Sequence, residues 1–171
     1  MGKSKYLGHI SRTILLLLIA ATLYGCAVKG TGPLFAFEEP KASKAIVFHY
    51  RIPRGAGSAA QYDVLSNGTP LTTIGNGGFF KQLIEPGHIV YKTRFQQHSG
   101  AFMIIGHSID NALANFKEAY RFDAEAGKVY YLRWGLGVIP KIEQIPEEEA
   151  LPQLNGLRSF LPLKIEEKEG R

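Results

Sequence analysis

Hydrophobic and polar residues alternate along several short stretches of the chain, and the first clear one is 44–52. A period of two is typical of a β-strand with one buried face, because successive side chains point to opposite sides. We therefore predict that one set of side chains faces the core and the other faces outward: Ile46, Phe48, Tyr50 and Ile52 inward, and Val47, His49 and Arg51 outward.

Turn signals separate further stretches of this kind. Asn67-Gly68 lies between 62–66 and 71–74, and this dipeptide accepts the positive φ angles of a tight hairpin turn. The glycine-rich 75–78 and the turn 85–87 mark two more reversals of the chain. The remaining predicted strands are 79–84, 88–95, 101–105, 118–123, 129–136 and 141–145.

Two of these strands carry large side chains on one face. The shared faces are Ile89, Tyr91, Thr93 and Phe95 in the first, and Tyr130, Leu132, Trp134 and Leu136 in the second. A series of about eight short strands, with turn signals roughly every 6–12 residues, is typical of a sandwich or barrel. We predict an all-β fold, an antiparallel β-sandwich that is immunoglobulin-like or transthyretin-like.

The end of the chain predicts a short C-terminal helix. Pro146 followed by three glutamates at 147–149 suits a helix start, because proline fits the first turn and acids suit the helix dipole. Pro152 limits the length of this helix. The last residues, 163–171, are rich in charge.

The first 26 residues have the three parts of a secretory signal. A short region with Lys3, Lys5 and Arg12 precedes the apolar run 13–23, and a small residue stands before Cys26. The apolar run is about half the roughly 20 residues that a membrane-spanning helix needs. We therefore predict an exported protein whose leader is removed.

Leu23-Tyr24-Gly25-Cys26 resembles the lipobox of bacterial lipoproteins, and Cys26 is the single cysteine of the chain. The resemblance implies that the Cys26 thiol receives a diacylglycerol and that the chain is cut just before it. Two or three acyl chains, such as palmitate, anchor a protein stably, whereas one is marginal. Ala27, where an aspartate would retain such a protein at the inner membrane, implies the outer membrane, facing the periplasm. The alternative is an ordinary secretory leader with an incidental cysteine.

Several motifs in 32–154 resemble an uncharacterised family of bacterial lipoproteins, a domain of unknown function. These motifs are Gly32-Pro33, the runs 45–51 and 64–68, Gly78-Phe79-Phe80, and the runs 85–88 and 126–132. The middle of the pattern is also similar to the transthyretin-like or carboxypeptidase-regulatory sandwich, in which strand–turn–strand units end in a Pro-Gly turn. The motifs are turns and core aromatics, so the resemblance implies a fold and carries over no catalytic residue.

Charge and composition narrow the classes of function. The whole chain carries a formal charge of +5, but three of its 20 basic residues lie in 1–26. The mature chain then has 17 basic side chains against 15 acidic ones. This near-balance gives no electrostatic reason to expect a nucleic-acid partner.

Candidate catalytic and metal sites are weak. The five histidines include no close pair with zinc-site spacing, so no metal or other cofactor is predicted. His107-Ser108-Ile109-Asp110 brings triad residue types together, but it lacks the Gly-x-Ser-x-Gly elbow, and neighbouring residues usually point apart. The glycines at 75–78 lack the lysine and helix of a phosphate-binding loop.

A cationic surface is the more plausible ligand site. In the predicted register, six basic side chains point away from the apolar stripes and form a possible face for anionic lipid or glycan. They are His49, Arg51, His88, Lys92, Arg94 and Arg133. The alternative is an ordinary solvated face with interspersed acids.

We predict four segments: a lipoprotein signal peptide (1–25), the lipidated cysteine and a tether (26–42), a β-sandwich domain (43–162) and a charged tail (163–171). The preferred function is a non-catalytic binding or structural module of the bacterial envelope, held to a membrane by its lipid. Its expected partner is an envelope protein or a cell-wall component. The alternatives are a small envelope hydrolase with a site in 96–111 and a binder of anionic glycan or lipid.

Overall fold

The computed structural model of the protein describes residues 30–55, 57–96, 115–137 and 139–160. These ranges form β1 (Ala45–Arg51), β2 (Gln61–Ser66), β3 (Thr69–Ile74), β4 (Gly78–Ile84), β5 (Gly87–Gln96), β6 (Lys117–Ala124), β7 (Val129–Trp134), β8 (Ile142–Ile145), α1 (Glu147–Leu154) and β9 (Arg158–Ser159). The prediction of an all-β sandwich with a short C-terminal helix is confirmed.

The strands form two sheets. Sheet A has the order β8-β7-β1-β4-β9, and sheet B has the order β3-β2-β5-β6. Every pairing in sheet B is antiparallel. In sheet A, β1 pairs in parallel with β7, and the short β9 pairs in parallel with β4. Parallel neighbours require a long connection, and the chain between β1 and β7 supplies it by building sheet B and β4.

β1 is central in sheet A, and both of its faces are covered. All seven of its residues are buried. Val47, His49 and Arg51 lie on the face toward sheet B and are buried, so the prediction that they face outward is wrong. The other face of β1 packs against α1 and the segment that includes Phe35. This second layer comes from parts of the chain far from β1 in sequence, and the alternation within 44–52 carries no sign of it.

Two apolar cores flank sheet A. Between the sheets, the ring of Tyr91 from β5 lies 4.6 Å from that of His49. On the outer side, Phe48 stacks on Tyr131 at 5.7 Å and meets Phe35 edge-to-face at 5.2 Å. α1 completes the outer core with the buried side chains of Ala150 and Leu154.

The hairpin between β2 and β3 confirms the prediction made from Asn67-Gly68. Both residues adopt positive φ angles, 47° and 86°, as a tight hairpin turn requires. The Asn67 side chain also accepts a hydrogen bond from the Val90 amide (2.8 Å) and donates one to the His88 carbonyl (3.2 Å). The turn is thereby tied to β5 as well as to its own strands.

Several predicted features lie outside the described residues. They are the leader 1–25, Cys26, the strand 101–105, most of the loop site 96–111 and the tail 163–171. Within the described ranges, α1 has eight residues, including Pro152, and no helix there is long and apolar enough to cross a membrane.

Candidate binding groove

The edge of sheet A at β4 is only partly covered. β9 pairs with Gly78 and Phe79, and the Phe160 amide donates a hydrogen bond to the Phe79 carbonyl (2.6 Å). From Phe80 onward, no described residue pairs with β4 on this side. Among the described residues, β4 is therefore an inner strand at its start and an edge strand for the rest of its length.

The register of β4 fixes which backbone groups face this open edge. In a β-ladder, the N–H and C=O groups of alternate residues point to opposite neighbours. The backbone carbonyl of Phe79 points toward β9, so the backbone N–H and C=O groups of Lys81 and Leu83 point to the same side. The backbone groups of Phe80 and Gln82 point to the other side and bond to β1. Lys81 and Leu83 thus offer donors and acceptors to a further strand, which is the property that makes open edges binding sites.

An apolar groove of about 600 Å³ runs along this open edge. β4 from Phe79 to Leu83 forms one boundary, and residues 33–38 form a wall on the outer side. Leu71 of β3 lines the sheet B side. Leu34 and Leu83 are 54% and 46% exposed, so large apolar side chains stand uncovered at the rim. We refer to this site, made by 33–38, 79–83, Leu71, Thr72, Ser159 and Phe160, as the β4 groove.

One ion pair borders the groove. The Lys81 ammonium contacts the Glu38 carboxylate, and both side chains are largely exposed. Exposed pairs of this kind contribute about 0–1 kcal/mol. The contact therefore adds little to the stability of the wall formed by 33–38.

Phe80 and Gln82 separate the groove from a buried histidine. The ring of His49 stacks on Phe80 at a centroid distance of 4.3 Å. The Tyr91 hydroxyl donates to the Gln82 amide oxygen at 2.8 Å and fixes that side chain between the sheets. Phe80 and Gln82 thus connect the groove boundary to the packing between the sheets.

His49 is neutral and makes one hydrogen bond. Its Nδ1 accepts from the Trp134 indole N–H at 3.2 Å, so the ring proton belongs on Nε2, which has no partner among the described residues. Burial lowers the pKa of His49 to about 3, and the Gln82 side chain only partly opposes this. A histidine that is fully buried and uncharged at neutral pH is a structural residue here and does not reach a ligand.

The six basic residues predicted to share a face do not do so. His49 and Arg51 are buried between the sheets, where the Arg51 guanidinium donates to the Ala60 carbonyl and lies 5.4 Å from the ring of Tyr62. Burial lowers the pKa of Arg51. The other four divide between two surfaces: His88, Lys92 and Arg94 on the outer face of sheet B, and Arg133 on the outer face of sheet A.

Three of the four basic side chains that remain at the surface contact acidic side chains. Arg94 bonds through Nε and Nη2 to the buried Asp63 carboxylate, at 3.2 and 2.7 Å, and His88 lies 3.0 Å from Asp123. Arg133 bridges Glu143 and Glu149, which ties α1 to sheet A. Acidic side chains are thus interspersed among the basic ones that remain at the surface.

The described residues contain no group of three or more histidine, cysteine, aspartate or glutamate side chains placed to hold a metal ion. His107, Ser108 and Asp110 lie outside the described residues. Residues 75–77 of the glycine-rich run connect β3 to β4, and Gly78 begins β4. There the Asn76 side chain exchanges two hydrogen bonds with the backbone of Arg54.

Comparison with protein-family models, curated proteins and solved structures gave no match. The resemblance to an uncharacterised lipoprotein family stays a prediction. The β4 groove is the candidate binding site, because it combines exposed apolar side chains with backbone groups that have no strand partner among the described residues.

Proposed function

We propose that this protein is a lipid-anchored module of the bacterial envelope that binds an extended segment of another envelope polypeptide along the open edge of β4. The observation that carries the proposal is the outward-facing backbone of Lys81 and Leu83 beside an apolar groove. Main-chain bonds to such an edge give affinity, and pockets for alternate side chains give specificity. No catalytic chemistry is part of this proposal.

The proposed anchor is close to the groove along the chain. Gly30 packs against β9 so tightly that a side chain there would overlap the Arg158 carbonyl oxygen. Three residues lie between Cys26 and Gly30, so the Cα atom of Cys26, which would carry the lipid, lies within about 14 Å of that of Gly30 even when the chain is fully extended. A partner segment in the groove would therefore be bound near the membrane surface, at the outer membrane facing the periplasm if Ala27 acts as expected.

Lipidation of Cys26 is expected to appear in the mass of the mature N-terminal peptide isolated from membranes. The peptide should begin at Cys26 and carry two or three acyl chains, and a Cys26→Ser variant should lack them and leave the membrane fraction. A wild-type peptide that is unmodified, or that still carries Met1, would contradict the anchoring part of the proposal.

A photo-crosslinking residue at position 83 is expected to capture a discrete partner in intact cells. The matched control is position 136, where the native leucine is 47% exposed, compared with 46% at Leu83. Blocking the edge provides the second arm. Lys81→Pro removes the outward N–H and is expected to reduce the adduct at least tenfold. Lys81→Ala removes only the contact with Glu38 and is expected to retain it.

Either of two results would contradict groove binding. One is the same adducts from positions 83 and 136, since this would indicate non-specific contact. The other is an adduct at 83 that survives Lys81→Pro, since an extended partner needs the backbone of that edge. Unfolding of the Lys81→Pro variant is checked by circular dichroism before its adduct is interpreted.

A further inference from the structure

We infer that the connection between β7 and β8 docks onto an anionic phospholipid surface, the same surface that holds the lipid on Cys26. Its described residues, 135–137 and 139–141, are called the hairpin tip. Apolar side chains of the hairpin tip enter the acyl layer, and cationic side chains beside them contact lipid phosphate. The orientation of the domain that follows rests on the proposed anchor at Cys26, whereas lipid contact by the hairpin tip does not.

The hairpin tip exposes two large apolar side chains that lie outside the β4 groove. Leu136 is 47% exposed and Ile139 is 49% exposed. The residues next to them are held by the body of the domain. The Tyr62 hydroxyl donates to the Gly137 carbonyl (2.7 Å) and accepts from the Gly137 amide (3.1 Å), and Pro140 is fully buried. The exposure of Leu136 and Ile139 is therefore a feature of the folded connection.

A cleft of about 350 Å³ beside Leu136 carries most of the charge at this site. Three cationic side chains and one carboxylate line it, namely Arg54, Arg133, Lys141 and Glu143. Glu143 contacts Arg133 and Lys141, and Arg133 also contacts Glu149. Arg54 is exposed and makes no ion pair with another described residue. Three cations against two carboxylates leave a positive charge beside exposed apolar side chains, the combination that favours binding to anionic lipid.

The register of sheet A places the hairpin tip and the start of the tether at the same end of the sheet. β1 ends at Arg51, which pairs with Gly78 at the start of β4, and Arg158 of β9 lies opposite Gly78. β7 runs parallel to β1, so the hairpin tip follows at this end. Gly30 lies against the Arg158 carbonyl, and β9 is three strands from β7, which is about 14 Å across the sheet. The chain from Cys26 thus enters the domain at the end that carries the hairpin tip.

A lipid anchor at this end changes what two apolar side chains can do. Alone they would bind a bilayer weakly, but the tether keeps the hairpin tip at a high effective concentration beside the bilayer. The acyl chains and the hairpin tip then hold the domain at two points. Because β4 begins at this end of sheet A and runs toward the other, the β4 groove extends away from the bilayer, and so does a partner segment bound in it.

Spin labels on the full-length protein in vesicles of phosphatidylcholine and phosphatidylglycerol test the docking. One label is attached at Leu136→Cys. The matched label is attached at Leu83→Cys, since the two leucines are 47% and 46% exposed and Leu83 lies near the other end of β4. We expect collisions with oxygen, relative to a water-soluble nickel complex, to be several-fold more frequent at 136, because oxygen concentrates in the acyl layer. Equal ratios at the two positions would overturn the inference.

The apolar contribution is tested at Ile139 with the label kept at position 136. Ile139→Asp is expected to lower the collision ratio toward the value at position 83, because the charged group opposes entry into the acyl layer. Ile139→Leu keeps an apolar side chain and is expected to retain the ratio. Both substitutions fall on a half-exposed side chain, so the fold accommodates either one. A ratio that Ile139→Asp leaves unchanged contradicts insertion of the hairpin tip.

The cationic contribution is tested by leaving out phosphatidylglycerol. We expect its presence to raise the ratio at position 136 in the parent protein but not in Arg54→Gln with Lys141→Gln. The matched variant, Lys117→Gln with Arg121→Gln, removes the same charge from exposed positions of β6 and is expected to keep the response. The same response in both variants contradicts a role for the cleft.

Failure of the docking and failure of the proposed function give different results. A lipidated protein whose label at position 136 stays in water contradicts the docking only. An unacylated chain whose label at 136 still enters the anionic vesicles contradicts the anchor and supports lipid contact by the hairpin tip. Peptide mass distinguishes these cases, because it shows whether Cys26 carries acyl chains or the spin label.

Discussion

Trp134→Ala is expected to reduce the free energy of unfolding by about 3–5 kcal/mol, the usual range for removing a large aromatic from a packed core. Trp134 is 3% exposed between the sheets. Its ring centroid lies 5.8 Å from that of His49 and 6.4 Å from that of Tyr62. Because its indole also donates to His49 Nδ1, the substitution leaves a cavity and removes the hydrogen bond that His49 makes with it.

Urea denaturation followed by circular dichroism measures this loss, since Trp134 is the single tryptophan and cannot report on its own absence. Leu136→Ala is the control, two residues along the chain but 47% exposed. Its effect is expected to stay within about 0.5 kcal/mol, as for most surface positions. A loss below about 1 kcal/mol for Trp134→Ala would contradict the packing of the two sheets around this ring.

Local turn chemistry was the part of the fold that the sequence predicted well. Asn67-Gly68 needs only its own backbone angles to form a hairpin turn, and the structure has positive φ at both positions. The face of β5 was also predicted correctly, because the burial of this strand alternates from residue to residue. Ile89, Tyr91 and Thr93 are buried, and Lys92 between them is exposed.

The error at β1 has a different origin. Its two faces are covered by elements that arrive from distant parts of the chain, sheet B on one side and α1 on the other. His49 and Arg51 are polar residues in core positions. The alternation of apolar and polar residues in 44–52 predicted that both side chains face solvent. Stacking on Phe80 and a bond to the Ala60 carbonyl accommodate them, and neither contact has a sequence signal.

The β4 groove could not be predicted from sequence because it depends on where pairing stops. β9 has only two residues, Arg158 and Ser159, and a strand of that length leaves no hydrophobic period. In the part of the chain that the structure describes, the open edge at Lys81 follows from the short length of β9.

Burial of His49 is expected to make the protein less stable as the pH falls below about 6.5. Burial lowers the pKa of His49 to about 3 in the folded protein, compared with the ordinary value of 6.5 in the unfolded chain. Between these values the unfolded chain binds a proton that the folded protein does not. The free energy of unfolding then decreases with falling pH by up to about 1.4 kcal/mol per unit, or about 2 kcal/mol between pH 6.5 and 5.

The measurement is urea unfolding at a series of pH values, followed by the fluorescence of Trp134. His49→Phe is the matched variant, because it keeps a ring beside Phe80 and removes the titrating group. Its overall stability is expected to fall, since the Trp134 N–H loses its acceptor. The pH dependence between 6.5 and 4.5 is expected to be shallower by about one proton than in the parent protein. Because other titrating groups contribute equally to both proteins, parallel curves would mean that His49 reaches solvent and that the barrier formed by Phe80 and Gln82 opens.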